Sequence, residues 1–270
     1  MGLRFTPLPA AVVRVSGADA AAYLQGQCTA DLRPGAPVHA LWLNRKGRVL
    51  AHTFVVPEPD GSFLLVAERT DVALVLGTVT ANVIADDVTA ADESAAWTWG
   101  VMEGSAEPPL PVGAQAFPCA WLPGDDVRCC LGPAGAAFAG ESGDFAVLER
   151  ERIHAGIPVV PEDCGAGDFP QECGLGDWVC HDKGCYLGQE VMARIRSMGT
   201  LRRTLRLVSA PGGLVTGATL RDADGRSVGT VRSAFGAAAL ALVSAELPEG
   251  AKVFADAGVA LLGPAASAAP

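Results

Sequence analysis

Lys183-Gly184-Cys185-Tyr186-Leu187-Gly188-Gln189-Glu190 sets a lysine, a thiol, a phenol, an amide and a carboxylate within eight residues. Few of these build a core, and most bind or react. Val191, Ile195 and Met198 follow at i, i+4 and i+7, which predicts one face of a short helix. Gly188 fits its N-cap, and Glu190 and Arg194 form an i, i+4 pair on another face. Cys185 then lies just outside the helix N-terminus, with Lys183 close by. Both settings favour a thiolate, the form of cysteine that attacks electrophiles and binds metals. The bland alternative is a small buried residue, since most unpaired cysteines are buried and inert.

Two further clusters carry potential chemistry. Cys164, Cys173, Cys180, His181 and Cys185 place four thiols and an imidazole within residues 164–185. Such a set could hold zinc or an iron–sulfur cluster. It has no Cys-x2-Cys knuckle, however, and no stable metal is expected. Arg194, Arg196, Arg202, Arg203 and Arg206 follow one another with no acid between them. They read as a solvated helix end and edge strand, or as a clamp for an anionic ligand tail. Phosphate-loop, nucleophile-elbow, zinc-protease and EF-hand patterns are absent.

The elements that must position these residues come from a chain of 270 residues, enough for one large or two ordinary domains. A net charge of −10 argues against a nucleic-acid scaffold or an anionic-membrane binder. No apolar run is long enough for a transmembrane helix, and Met1 to Ala10 shows no signal sequence. The expected location is cytoplasmic, so eight cysteines point to thiol chemistry more than to structural disulfides.

Residues 11–15 predict a strand. Ser16 or Asp19 can cap a helix running to about Gly26, and Gln25 and Gln27 then sit in a polar turn able to meet a ligand. Val38–Leu43 and Val49–Val56 predict a hairpin around Asn44-Arg45-Lys46-Gly47-Arg48. A strand at 63–67, a helix capped by Thr70-Asp71 and strands near 83–90, 97–102, 115–121 and 127–131 follow. A helix from Asp144 to His154 ends at Gly156-Ile157-Pro158. The order predicts α+β layers. The division is 1–198 with a weak boundary near 132–143, a small β-barrel over 199–262, and a flexible tail at 263–270.

Taken together, Lys183–Glu190, Ser16–Asp19, Tyr23–Asp31, Lys46–Arg48, Ala155–Pro158, Phe169–Gln171 and Ala193-Arg194 resemble the YgfZ family. These are folate-binding proteins named as tRNA-modifying. They are related to the glycine-cleavage aminomethyltransferase (T-protein) and to the mitochondrial assembly factor for [4Fe–4S] proteins. The resemblance implies intertwined α+β subdomains around a central folate-sized opening, followed by a barrel. It implies tetrahydrofolate or a one-carbon derivative as ligand, and iron–sulfur enzymes or assembly factors as partners. Any tRNA effect then runs through a client, without direct nucleic-acid contact. A monomer is the expected state.

The site residues that the resemblance implies are Cys185 as functional thiol with Lys183 beside it. For the folate they are Gln25, Gln27, Lys46, Glu149, His154, Tyr186, Gln189, Glu190 and Arg194. Two departures matter. Ala51-His52 stands where the T-protein carries two carboxylates, so glycine-cleavage activity is not expected. His154 stands where relatives carry a glutamate suited to the pterin's paired N–H donors, which leaves that contact to His154, Glu149 or Glu151. Three readings follow: a folate-binding protein that supports iron–sulfur enzymes, a one-carbon transferase on another acceptor, or a non-catalytic assembly adaptor.

Overall fold

The computed structural model describes residues 2–120, 122–256 and 258–267. The chain opens on β1 (Arg4–Pro7), which belongs to the second of two five-stranded sheets. The first sheet is built from β2 (Ala10–Ser16), β3 (Val38–Leu43), β4 (Val49–Pro57), β5 (Phe63–Glu68) and β6 (Thr89–Asp92), in the order β3-β4-β5-β2-β6. Both of its faces are covered, so its central strands read as unbroken apolar runs. Within β4, Phe54 and Val56 face one core while Ala51 and Val55 face another; Leu64 and Val66 alternate with Phe63 and Leu65 in β5.

Helices α1 (Ala20–Gln27) and α2 (Val72–Thr80) seal the outer face through Tyr23, Leu24, Val75 and Val79. Asp71 caps α2 by accepting from the Ala73 amide at 2.7 Å. Asp19 occupies the N-cap position of α1, but its carboxylate accepts from the Asp87 amide at 2.8 Å instead of from the helix. The strand expected near 83–90 starts only at Thr89. Before it the chain bends so that the Asp87 carbonyl and carboxylate meet the Asp19 and Ala18 amides.

The second sheet adds β7 (Trp97–Glu103), β8 (Gln115–Pro118), β9 (Val127–Pro133) and β10 (Glu141–Ser142), in the order β10-β1-β7-β9-β8. Its Trp99, Val101, Phe117, Cys129 and Leu131 meet Phe54 and Val66 of the first sheet in a shared core. Expected to reach 121, β8 stops at Pro118, which has no N–H to continue the ladder; residue 121 lies outside the described residues.

Helix α3 (Phe145–Ala155) is capped by Asp144 and ends at Gly156, whose φ of 73° is left-handed. From 157 to 188 the chain forms only short 3-10 turns. Then come α4 (Gln189–Met198) and a closed barrel of β11 (Arg203–Ser209), β12 (Thr219–Arg221), β13 (Ser227–Phe235), β14 (Ala238–Ser244), β15 (Lys252–Ala255) and β16 (Gly258–Ala265). Leu220, Val231, Val243, Val253 and Leu262 fill the barrel. The tail expected to be flexible from 263 is strand to Ala265. Its Ala266 amide donates to Leu205 at 2.8 Å and its Ser267 amide to Gly156 at 3.1 Å. Residues 268–270 lie outside the described ones.

The long irregular segment is fixed by buried charge. Arg152 of α3 is fully buried and donates to Asp163 and to the Ile157 carbonyl, both at 2.7 Å. Asp163 also accepts from the Val159 amide at 3.0 Å and from Ser233 of the barrel at 2.6 Å. Glu149 forms a further ion pair with Arg152. Truncating one partner leaves the other charge buried and uncompensated. Arg152→Met is therefore expected to cost about 3–5 kcal/mol of folding stability, read as a lower urea midpoint. A midpoint unchanged from the parent would contradict this role.

Candidate functional site

The octet is folded by two tight constraints. Gly188 has φ of 85°, and a Cβ there would lie 3.0 Å from the Asn44 carbonyl oxygen and 3.2 Å from Leu43. Only glycine fits this approach of the β3–β4 hairpin to the start of α4. The Leu187 amide donates to Gly26 at 3.1 Å, and the Gln189 amide to Tyr186 at 3.1 Å. These bonds fix the path of the loop beside the end of α1 and the start of α4. Lys183 and Tyr186 are buried, while Cys185 is exposed.

Lys183 therefore has a different role from the one expected of it. Its ammonium donates to the Cys28 carbonyl at 3.0 Å and to the Ala30 carbonyl, and lies 5.2 Å from the centroid of the Tyr186 ring. Burial lowers its pKa, and burial pushes the Tyr186 phenol up to about 12. Lys183 thus staples the octet to the end of α1 and is not the thiol's charge partner.

The other residues expected to hold folate do not converge. Gln25 is spent locally, donating to Asp31 at 2.9 Å and accepting from the Leu32 amide at 2.8 Å. Gln27 accepts from Asn82 at 2.8 Å and lines a cavity of about 280 Å³ with Trp42 and Leu187. Lys46 is exposed on the hairpin turn. Glu149 is engaged by Arg69 and Arg152. His154 is exposed, bonds the Arg150 carbonyl at 2.9 Å and lines a separate cavity of about 480 Å³ with Arg4, Glu103 and Glu151. On α4, Gln189 is half-buried, whereas Glu190 and Arg194 are exposed and form no ion pair with each other. Met198 does not join the buried stripe: it is 77% exposed, and Met192 carries the helix's fully buried contact.

The arginine cluster is likewise divided. Arg203 pairs with Glu172 at 2.8 Å and Asp168 at 3.2 Å, and Arg206 donates to the Gly263 and Leu247 carbonyls. Both are structural. Arg194, Arg196 and Arg202 remain at the surface.

A ligand-sized cavity does exist, but its walls are residues that the sequence did not single out as folate contacts. About 480 Å³ in volume, it is walled by His39, Phe54, Pro118 and Trp178, with Asp31, Asp177 and Cys180 also lining it. The His39 and His52 rings lie side by side, Nδ1 of one 3.0 Å from Nε2 of the other. The Trp178 indole covers both, at 4.7 and 4.5 Å between ring centroids. Behind this stack a pocket of only about 10 Å³ remains beside Glu68, Pro158 and Val160. Tested against these walls, the pterin ring of a folate finds aromatic faces and one carboxylate, Asp177, for its N–H donors, since Asp31 is already held by Arg33 and Gln25. Its glutamate tail finds no lysine or arginine among the lining residues.

The five-residue thiol–imidazole set is also dispersed. Cys164 and Cys173 are fully buried, and their sulfurs lie with an Asp168 oxygen within 4.8 Å of one another. Asp168 is already bonded to Arg203, Arg232 and the Gly165 amide. The Cys173 thiol donates to the Asp163 carbonyl at 3.6 Å, and burial pushes the Cys164 thiol well up. Two fully buried thiols beside a carboxylate already held by arginines are packing groups.

Comparison with known proteins agrees with this architecture. Residues 202–262 match the family described as CAF17, C-terminal beta-barrel domain. The whole chain superposes on aminomethyltransferase T of the glycine cleavage system from Bartonella henselae with a TM-score of 0.76, covering 100% of this chain and 86% of that one at 17% identity. The fold is therefore that of aminomethyltransferase T with a six-stranded C-terminal barrel. In sequence, the chain is 29% identical to the human mitochondrial iron-sulfur cluster assembly factor IBA57, over 88% of this chain and 76% of that protein. It is 24% identical to the IBA57 homolog of Coccidioides immitis (strain RS), over 72% and 53%. The chain is similar to CAF17/IBA57-type proteins. These relatives are named as mitochondrial, which overturns the cytoplasmic expectation. That expectation rested on the lack of a secretory signal pattern and of a long apolar run, and neither feature separates cytoplasm from mitochondrion.

The paired imidazoles give a pH signature. Burial lowers the His39 pKa to about 4 and that of His52 well below its usual 6.5, with His39 adding to the second shift. The unfolded chain therefore binds protons that the folded one refuses as pH falls below 6.5. Stability is expected to decline through that window and to level off, for His39, below about 4. Urea midpoints across the window should fall less steeply in His39→Phe than in the parent. Parallel slopes would contradict the assignment.

Proposed function

We propose that this protein is an iron–sulfur cluster assembly factor whose Cys185 thiolate helps to hold a cluster as it passes to or from a partner. One observation carries the reading: six of the eight cysteines are buried, Cys180 is half-buried, and Cys185 is exposed. Similarity to IBA57 supports the same assignment. Clusters are held by several thiolates. A chain with one exposed thiol supplies one of them, so the remainder come from a partner or from a small thiol. The cluster is cargo in this scheme. Effects on tRNA, for which the YgfZ family is named, would follow through an iron–sulfur tRNA-modifying client, and the charge of −10 favours that indirect route.

Glycine-cleavage-type aminomethyl transfer is not part of the proposal. In place of the two carboxylates stand Ala51 and a buried His52, whose lowered pKa keeps it neutral and whose ring nitrogen is bonded to His39.

In a strain lacking this protein, the parent chain is expected to restore the activity of a [4Fe–4S] enzyme, and Cys185→Ser to leave it near the level of the empty strain. Full restoration by Cys185→Ser would exclude the thiol.

A second reading, that the protein binds tetrahydrofolate, is favoured by the aromatic cavity beneath Trp178. His39, Phe54 and Trp178 would hold the ring, with Asp177 at its polar edge. A bound folate would supply a carrier for one-carbon units. Calorimetry should then show heat with tetrahydrofolate that Trp178→Ala weakens by about 1–3 kcal/mol, the scale of one lost aromatic stacking partner. No heat from the parent at millimolar ligand would dismiss this reading.

A further inference from the structure

Among the described residues, most lysine and arginine side chains are tied to carboxylates or carbonyls. The side chains of Arg45, Lys46, Arg194, Arg196, Arg202 and Lys252 have no hydrogen bond or ion pair. Five of these six belong to one region of the surface. Arg45 and Lys46 form the tip of the β3–β4 hairpin, and Gly47 beside them packs so closely on α4 that a Cβ would meet Val191 and Met192 at 2.8 Å. Arg194 and Arg196 project from α4, and Arg196 is near enough to help lower the pKa of His181. Arg202 leads into β11, where its neighbour Arg203 shares Glu172 with Arg48 of the hairpin. Cys185 lies in the loop that feeds α4. The acids facing this region are Asp182 and Glu190, with Glu246 beside Arg202, and none forms an ion pair with the five cations.

Five unpaired cations gathered on one face of a chain of net charge −10 make a local positive field that attracts anionic groups. Met198, at the end of the same helix, is 77% exposed and offers a flexible apolar anchor of the kind found at protein interfaces. We infer that the face formed by the hairpin tip, α4 and the start of β11 docks the acidic surface of a partner protein and brings that partner's thiolates up to Cys185. Interspersed acids and an apolar anchor suit a protein surface better than a phosphate backbone, which asks for a continuous cationic track. The inference rests on the reading of Cys185 as the working thiol, but not on cluster chemistry. Charge would act here mainly on the rate of encounter, within a screening length of about 8 Å at physiological salt.

The test uses the full chain and short peptides bearing one cysteine as a mixed disulfide with thionitrobenzoate. The flanking residues are glutamates in one peptide and glutamines in the other. Attack by the Cys185 thiolate forms the protein–peptide disulfide. The electron pair of the broken S–S bond leaves with thionitrobenzoate, whose colour reports the rate. At low salt the glutamate peptide is expected to react about tenfold faster than the glutamine peptide. That advantage, read as the ratio of the two peptides' rates on the same chain, should vanish at high salt and in Arg194→Glu/Arg196→Glu. Equal rates for the two peptides, or an advantage that survives charge reversal, would overturn the inference. So would colour release that persists in Cys185→Ser, or a single-stranded oligonucleotide that displaces the glutamate peptide by binding the same arginines more tightly. No iron takes part, so the result is independent of whether the chain handles clusters.

Discussion

Arg152 has no water to fall back on. Its guanidinium is enclosed between α3, the segment that follows it and the barrel, and its charge is offset by Asp163 and Glu149, with the Ile157 carbonyl accepting from it as well. Enclosing two charges is costly, and the attraction between them recovers that cost only when the remaining donors and acceptors are also met. Here they are met by Ser233 and the Val159 amide. The result is a fixed relation among three parts of the fold that share no β-ladder. A second knot does the same further along, where Asp168 and Glu172 gather Arg48, Arg203 and Arg232. Residues 157–188 contain almost no regular structure, and these charges stand in for it.

Positioning the thiol depends on that frame. The octet emerges from the irregular segment and must meet α1 and the hairpin at once. Lys183 and Tyr186 turn inward to do so, and Gly188 lets the chain pass within contact of Asn44. Cys185 is the residue left facing outward. The remaining cysteines pack as small apolar groups, and Cys119 and Cys129 even share a contact of 3.4 Å between their sulfurs. One exposed thiol among several buried ones is an arrangement for reacting with something brought to the surface, not for closing an internal site.

Punctuation made much of the fold legible. Asp71, Asp144 and Gly156 end helices where their chemistry says they should, and the Asn44–Arg48 turn folds as read because Asn44 accepts from the Lys46 and Arg48 amides. The barrel followed from short strands separated by Gly and Asp-Gly turns. What stayed hidden was set by distant partners. Lys183 looked like a charge for Cys185 because they are neighbours in sequence, yet its acceptors lie on Cys28 and Ala30. His39 and His52 meet only because the β3–β4 register brings them close, and Trp178 reaches them from a loop whose glycines signal irregularity without direction. Met198 kept the right spacing and still faced solvent, since the core under α4 ends at Ile195. A strong local signal could therefore point to the loop that carries the exposed thiol but not to the cavity.

The central claim is that Cys185 is a cluster ligand in transit. Anaerobic loading of the parent chain and of Cys185→Ser with ferrous iron and sulfide, with glutathione as the only other thiol, tests it most directly through the visible sulfur-to-iron charge-transfer absorbance that remains on the protein after gel filtration. The account predicts colour retained by the parent and lost from Cys185→Ser. Equal colour on both chains, or none on either, would contradict it.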